Sequence, residues 1–502
     1  MTGAPTLVDT GIVLRPDPER VVARLFVPGR EDVGPGDSRA APVIQRVLEL
    51  DEAEVTEAAG DVARRFEHRH EAFGDMIEAN VGQIVSRLDP AEPLSAARRY
   101  LLGACFTHEF AIEAAALCNP SIVLHPDQNV PPDRSARGRS GEVRFVLSVR
   151  GIGEGHRSTI GFREGTVTAA GAVSIDSPSP HAVASSATPG LHHRESMQVR
   201  LAAVDGDREN ASYVLDQLPS EFDDAALEEA IDELESDRAT RRGLDATIGH
   251  LRSFAASTYR ASFPSSSPLS SRVLWPYAPN ELHGMEDARF VRFVADDGEI
   301  TYFGTYTAFD GRRTAQHLLE TQDFLTFGVS PMAGAAATGK GLALFPRKVG
   351  GRYVALSRSD RETNAVSFSD DVRCWSDRQV VQTPARPWEI LQLGNCGSPI
   401  ETEAGWLVLT HGVGAMRTYH LGALLLDLDD PSQVLARSRD PILSPEGRHR
   451  DGYVPNVVYT CGALAHGDVL VIPFGMGDQS IGMVTTSIES LLASLEPERS
   501  RL

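Results

Sequence analysis

Gly405-Trp406-Leu407-Val408-Leu409-Thr410-His411-Gly412, followed by His420-Leu421-Gly422-Ala423-Leu424-Leu425-Leu426-Asp427-Leu428, decides the fold class. Each run is apolar or alternating, short, and closed by glycine or a polar residue, which favours a strand over a helix. The same texture recurs outward from this pair, in VRFVLSV (143–149), TYFGTYTAF (301–309), RYVALSR (352–358) and DVLVIPFG (468–475). Runs of this kind, bounded by Gly, Asp and Pro, extend from residue 143 to about 489. They predict antiparallel β-structure arranged as a barrel, sandwich or propeller. A propeller blade of roughly 40–70 residues would fit about five times.

The first 140 residues read differently, as a mostly helical N-terminal extension. Helical patterns cover 43–50, 52–71, 72–88 and 94–118, the last ending at Asn119-Pro120 because proline cannot continue a helix. Residues 131–142 (PPDRSARGRSGE) read as a linker. The β-rich unit is expected over 141–490, with a helical insertion at about 218–258 and a tail at 491–502. The insertion carries nine acidic residues between Glu221 and Asp237, read as a solvated helix face.

The chain has 502 residues, 69 acidic against 48 basic, for a formal charge of −21. That balance disfavours nucleic acid or an anionic membrane as a partner. No apolar run is long enough to span a bilayer, and no basic region followed by an apolar stretch marks a signal peptide. The five cysteines (Cys105, Cys118, Cys374, Cys396, Cys461) form no CxxC pair, which points to reduced thiols and a cytoplasmic location rather than disulfides or zinc. Only two lysines occur, Lys340 and Lys348; every other basic residue is arginine.

The densest chemical signal is Asn280-Glu281-Leu282-His283-Gly284-Met285-Glu286-Asp287-Ala288-Arg289-Phe290. Two adjacent carboxylates and an arginine on a loop entering a strand can serve as a proton donor and its orienting partners. The same spacing also fits loop caps and a surface ion pair. His108-Glu109 lacks the second histidine of a zinc helix. Gly151-Ile152-Gly153-Glu154-Gly155 lacks the Gly-Lys-Ser/Thr of a phosphate loop; a strand end with Arg157 and Ser158 near sugar or phosphate fits better. Asn119-Pro120-Ser121 could reach the same place.

Six segments in order resemble glycoside hydrolase family 130. They are GMEDARFVRF (284–293), YFGTYTAFDG (302–311), LFPRKVGGRYVALSR (344–358), LGNCGSPIETEAGWLVLTHGV (393–413), YHLGALLLDLDDPSQVLARSRDPILSPE (419–446) and GYVPNVVYTCGALAHGDVLVIPFGMGDQSIGMVT (452–485). The likeness is close over about 265–490 and loose over 143–220. It implies a five-bladed β-propeller and the inverting phosphorolysis of β-mannosides, with inorganic phosphate as co-substrate and no other cofactor or metal. A β-mannoside hydrolase on the same fold is the alternative, and a non-catalytic carbohydrate-binding propeller is a third reading.

By this resemblance Asp287 would be the catalytic acid, passing its proton through the sugar 3-hydroxyl. Ala288 stands where the family usually has proline, which bears on how the carboxylate is aimed. Lys348, His411, Arg417, Tyr419, Arg157 and one of Arg312 or Arg313 would hold phosphate. Glu286, Arg289, Asn280, Ser158, Asp451, Tyr453 and Asn456 would contact the substrate. A hydrolase would need a second carboxylate to activate water, with Glu286, Glu401 and Asp451 as candidates. The expected partners are an oligosaccharide and phosphate, with a homo-oligomer left open.

Overall fold

The computed structural model describes residues 5–27, 39–85, 93–128, 141–204, 208–238 and 243–498. The chain is mainly β. Five successive antiparallel runs of four strands follow one another along it. The first comprises Ala116–Leu124, Glu142–Ile152, Ser158–Thr168 and Val173–Ile175. The second comprises Gly284–Val294, Ile300–Phe309, Thr314–Thr321 and Thr326–Pro331. The third comprises Ala343–Leu344, Tyr353–Ser357, Asn364–Ser369 and Gln379–Gln382. The fourth comprises Gln392–Asn395, Gly405–Val413, Tyr419–Leu426 and Val434–Arg437. The last comprises Val458–Tyr459, Val469–Met476 and Ser480–Ser487, and its fourth strand is Val8–Leu14 from the chain's beginning. The two ends of the chain therefore meet in one sheet.

The runs stack through apolar faces. Phe162, Phe290, Phe324 and Phe327 pack between the first and second. Leu409, Leu421, Leu470 and Phe474 pack between the fourth and fifth. The strand Gly405–Val413 is buried along its whole length, which is why it reads as a continuous apolar run rather than an alternating one.

Four helices, α1 (Ala40–Glu49), α2 (Glu52–Phe66), α3 (Phe73–Val85) and α4 (Ala96–Cys105), pack around Val55, Val81, Leu102 and Phe106. Asp51 caps α2, with Glu54 reaching back to the Asp51 backbone, so two helix-end donors are satisfied reciprocally. The helix expected over 94–118 is shorter. It stops at Cys105, where the Thr107 hydroxyl donates to the Gly103 carbonyl at 2.8 Å. The next residues form the strand Thr107–Ala111, paired with Val21–Leu25. The N-terminal 140 residues are thus not a helical extension alone: Val8–Leu14 and Ala116–Leu124 belong to the sheets. Asn119-Pro120 lies in a β-bulge, not at a helix end.

The helical insertion begins earlier than about 218. It contains α5 (Arg194–Ala202), α6 (Arg208–Leu215), α7 (Asp224–Arg238) and α8 (Leu244–Ala255) around Val214, Ile231, Leu234 and Leu251. Its flanks pair with each other, Ser186–Pro189 against Tyr259–Ser262. The linker expected at 131–142 lies almost wholly outside the described residues, as does the end of the tail beyond 498. The C-terminal segment instead supplies a helix, Ile488–Ser494, whose Leu491 is buried against the fifth run. Among the described residues no helix is long and apolar enough to cross a membrane. All five cysteines are free thiols.

Candidate active site

Each of the five runs places a residue from its first strand, or from just before that strand, on one cavity. Asn119, Asp287, Lys340, Gln392 and Tyr459 line it, with Arg150, Arg358, Arg417, Tyr419, Val454, Val457 and Asp478 between them. Its volume is about 340 Å³, within the range of small-ligand sites. Four cationic side chains face two carboxylates on its wall, so the site is locally positive in a chain of charge −21.

Backbone irregularities aim several of these groups. The Gly284–Val294 strand bulges between Glu286 and Arg289, and Asp287 inside the bulge has φ 57°. The Ala116–Leu124 strand bulges between Cys118 and Ser121, and Asn119 has φ 47°. The Ser121 hydroxyl accepts from the Phe290 amide at 3.0 Å, which ties the two bulged strands together. Arg417 (φ 55°) and Asp478 (φ 47°) are also left-handed. Such a conformation costs about 1–3 kcal/mol per non-glycine residue and persists where the surroundings over-determine it. Here the bulges turn side chains that would otherwise alternate across the sheet into the cavity.

Arg150 is the organising cation. It donates to Asp287 Oδ1 at 2.9 Å, to Glu286 Oε1 at 2.6 Å and to the Ser158 hydroxyl at 2.9 Å. Lys340 reaches the other oxygen of Glu286 at 2.6 Å. Arg289 donates to the Asp287 carbonyl at 3.0 Å and to the Tyr459 hydroxyl at 2.8 Å. The aim of Asp287 is therefore set by two arginines acting on its carboxylate and its backbone. Neither contact requires a proline at 288.

The two cavity carboxylates differ in proton affinity. Burial would raise the Asp287 carboxyl, but Arg150, Lys340 and Arg289 together outweigh it and hold the group below the usual value. Asp478 is pushed up to about 6, by burial first and by the charge of Asp287, against Arg150 and Arg417. Burial and the neighbouring Arg358 and Arg289 hold His411 well below its ordinary value. It is therefore neutral, and its Nε2 accepts from Arg358 at 3.1 Å. His411 stacks on Tyr419, ring centres 6.0 Å apart, and meets Tyr459 edge-on at 4.9 Å. It orients Arg358 from behind and does not itself line the cavity.

Of the residues singled out in the sequence, Asn119, Asp287, Arg417 and Tyr419 line the cavity. Glu286, Arg289, Ser158 and His411 support those that do. Lys348 lies elsewhere, its ammonium over the Tyr353 ring at 4.6 Å, whereas Lys340 stands on the cavity wall. Arg157 is also elsewhere, donating to the Leu282 carbonyl at 3.3 Å and lying between Phe110 and Trp275. Arg312 and Arg313 are exposed on a turn closed by their amides onto Asp310. Asn280 bonds His317 at 2.7 Å in a buried network. Asn456 accepts from Arg450 at 3.2 Å and shapes its turn, while its carbonyl holds the Tyr419 amide at 2.9 Å. Asp451 is exposed. Tyr453 stands near the cavity mouth, its hydroxyl 3.0 Å from His156 Nδ1. Glu401 pairs with Arg347 away from the cavity.

Comparison with protein families matches residues 266–496 to glycoside hydrolase family 130, described as beta-1,4-mannooligosaccharide phosphorylase. Among curated relatives, a 1,2-beta-oligomannan phosphorylase of Thermoanaerobacter sp. (strain X514) is 36% identical over 227 residues, 44% of this chain and 75% of that protein. The chain belongs to glycoside hydrolase family 130. A second relative, the Beta-1,2-mannobiose phosphorylase of Listeria innocua, is 33% identical over 232 residues, 45% of this chain and 64% of that protein. A solved structure of a Listeria innocua Beta-1,2-mannobiose phosphorylase in complex with beta-1,2-mannobiose aligns over 77% of this chain and 93% of that one, at 22% identity and a TM-score of 0.43. The matched segment of this family 130 chain carries ten of the twelve cavity residues. Asn119 and Arg150 lie outside it. Arg150, Lys340, Arg358, Gln392, Tyr459 and Asp478 were not singled out as site residues in the sequence. For Lys340 and Arg358 the signal was present, in the lysine scarcity and in the RYVALSR strand end. For Arg150 and Asp478 it was only their adjacency to glycine-rich turns.

Proposed function

We propose that this chain catalyses inverting phosphorolysis of β-mannosides, giving α-mannose 1-phosphate and a shortened acceptor. The observation that carries it is the cationic quartet of Arg150, Lys340, Arg358 and Arg417 beside Asp287 on one cavity. A dianion needs such donors, and in an acidic chain they must be concentrated locally. Arg358, Arg417 and Lys340 hold phosphate, with Tyr419 adding a hydroxyl and neutral His411 fixing the Arg358 plane. Phosphate oxygen attacks the anomeric carbon as the glycosidic bond breaks on the opposite face. Asp287 supplies the proton that leaves with the acceptor oxygen.

Arg150, Lys340 and Arg289 hold Asp287 ionised. Phosphate bound beside Lys340, one of those cations, offsets its charge and adds its own negative charge, which raises the affinity of Asp287 for a proton. The acid is thus charged for its task by the co-substrate. The five sheets, each contributing its first strand to one cavity, are read as the blades of a five-bladed propeller with the site at its axis. Val8–Leu14, completing the last blade, closes the ring. The β-propeller starts at the Ala116–Leu124 strand, and the helices α1–α4 form an appendage. Free thiols and a phosphate co-substrate suit a cytoplasmic enzyme.

One observation favours a hydrolase as the second reading: Asp478 is a second carboxylate on the same cavity, as a water-activating base would be. Incubation of β-mannobioses with and without phosphate separates the two. Phosphate-dependent release of α-mannose 1-phosphate supports the phosphorylase, and equal release of free mannose without phosphate supports the hydrolase.

A further inference from the structure

Among the described residues twelve large apolar side chains are exposed, and five of them stand on loops that lead into cavity residues. Met416 is 88% exposed, Leu282 59%, Ile390 59%, Leu391 57% and Tyr453 46%. Three of them directly precede a cavity residue: Leu391 before Gln392, Met416 before Arg417 and Tyr453 before Val454. Leu282 opens the turn into the strand that carries Asp287.

The loops bearing them form one connected arc. The Leu282 carbonyl accepts from Arg157 at 3.3 Å. Arg157 follows His156, whose ring bonds the Tyr453 hydroxyl at 3.0 Å. The Tyr453 loop holds the Tyr419 amide through the Asn456 carbonyl at 2.9 Å, beside Met416. The Leu391 amide donates to the Val413 carbonyl at 2.9 Å, just before the Met416 turn. His156 and Met416 are both left-handed, φ 56° each, so each turn is held in a sparsely populated conformation that keeps its side chain at the rim.

A polar, positive floor beneath an apolar rim divides the site by chemistry. The floor suits a sugar ring and phosphate. The rim offers dispersion and burial but little hydrogen bonding. With sugar and phosphate on the floor, the leaving group would face the rim.

We propose that the leaving-group side of this site binds an apolar face, an aryl or alkyl aglycone, through Tyr453, Met416, Leu391, Ile390 and Leu282. This rests on the phosphorylase reading above, and continuity with that cavity is what assigns the occupant. The test is phosphate-dependent turnover of methyl, hexyl and benzyl β-mannosides by the full chain, read as α-mannose 1-phosphate. The KM is expected to fall at least about tenfold from methyl to benzyl, the scale expected for burying a ring or a chain of methylenes. In the double variant Met416→Ser, Leu391→Ser that ratio should collapse towards one, while the thermal midpoint reports that the protein stays folded. A flat series in the unaltered chain, or a ratio unchanged in a folded double variant, overturns the proposal. So does sedimentation showing self-association that the double variant abolishes, since the rim would then be an interface between copies. Absence of α-mannose 1-phosphate from every β-mannoside would overturn the phosphorylase reading instead, so the two failures are distinct.

Discussion

Lys340 and Lys348 are eight positions apart, yet only Lys340 reaches the cavity. The intervening strand Ala343–Leu344 carries the chain away, so that Pro346 pairs with Val294 at the far end of the Asp287 strand. At about 3.3 Å per residue, eight residues can span at most roughly 26 Å. Lysine scarcity pointed to this segment, but one-dimensional spacing could not say which end of a strand faces the site. Lys340→Ala is expected to raise the KM for phosphate by about ten- to a hundredfold, the scale of losing a charge-assisted contact, whereas Lys348→Ala leaves it within about twofold; initial rates against phosphate concentration check both. Asp287→Asn should lower kcat by about 10²–10⁴-fold, the usual contribution of a positioned acid. Asp478 gives a pH signature. Its folded pKa of about 6 lies above the ordinary carboxylate value, so the folded state binds the proton more tightly than the unfolded chain. Stability present at low pH is then lost as pH rises from about 4 to about 6. Asp478→Asn removes that loss, and urea unfolding at pH 4.5 and 7.5 should show the variant gaining about 2 kcal/mol relative to the parent at the higher pH.

At the level of elements, the strands were legible because a strand buried on both faces leaves a continuous apolar run, as in Gly405–Val413. The bulges were not legible, since one extra residue leaves no periodic trace over so short a span. The helix expected over 94–118 overran because Ile112 and Leu117 keep near-helical spacing while sitting in a bend and on a strand. The turn before the Asp287 strand has its own fastening. Buried Glu281 accepts from Tyr259 at 3.0 Å, from the Tyr306 hydroxyl, and from the amides of Tyr277 and Ala278 at 2.9 Å each. Burial raises its carboxyl, and these donors oppose the rise. Glu281→Ala strands several buried donors and should cost about 3 kcal/mol. Glu281→Gln keeps the acceptor oxygen and should cost less. The order of the two thermal midpoints, with Ala below Gln below the parent, checks the assignment.

Across the whole molecule, the charge of −21 and a cationic cavity coexist because acidity is placed elsewhere, seven of the 69 acidic residues lying on α7 of the insertion alone. That insertion has its own apolar core, and its flanks Pro189 and Tyr259 are paired neighbours. Replacing residues 191–257 with a short glycine linker is expected to leave a folded chain with kcat/KM for β-mannosides within about threefold; a larger loss would place the insertion in the site's support. The sequence could not show that Val8–Leu14 completes the last sheet, because that pairing spans nearly the whole chain. Nor could it show that Arg150, from the first sheet, governs Asp287 in the second. The central claim concerns the nucleophile. The direct measurement is phosphorus NMR of the protein with β-1,2- and β-1,4-mannobiose and inorganic phosphate. Growth of an α-mannose 1-phosphate signal from the start, absent in Asp287→Asn, is the predicted result. Free mannose released at the same rate with and without phosphate, and no sugar phosphate signal, would contradict it.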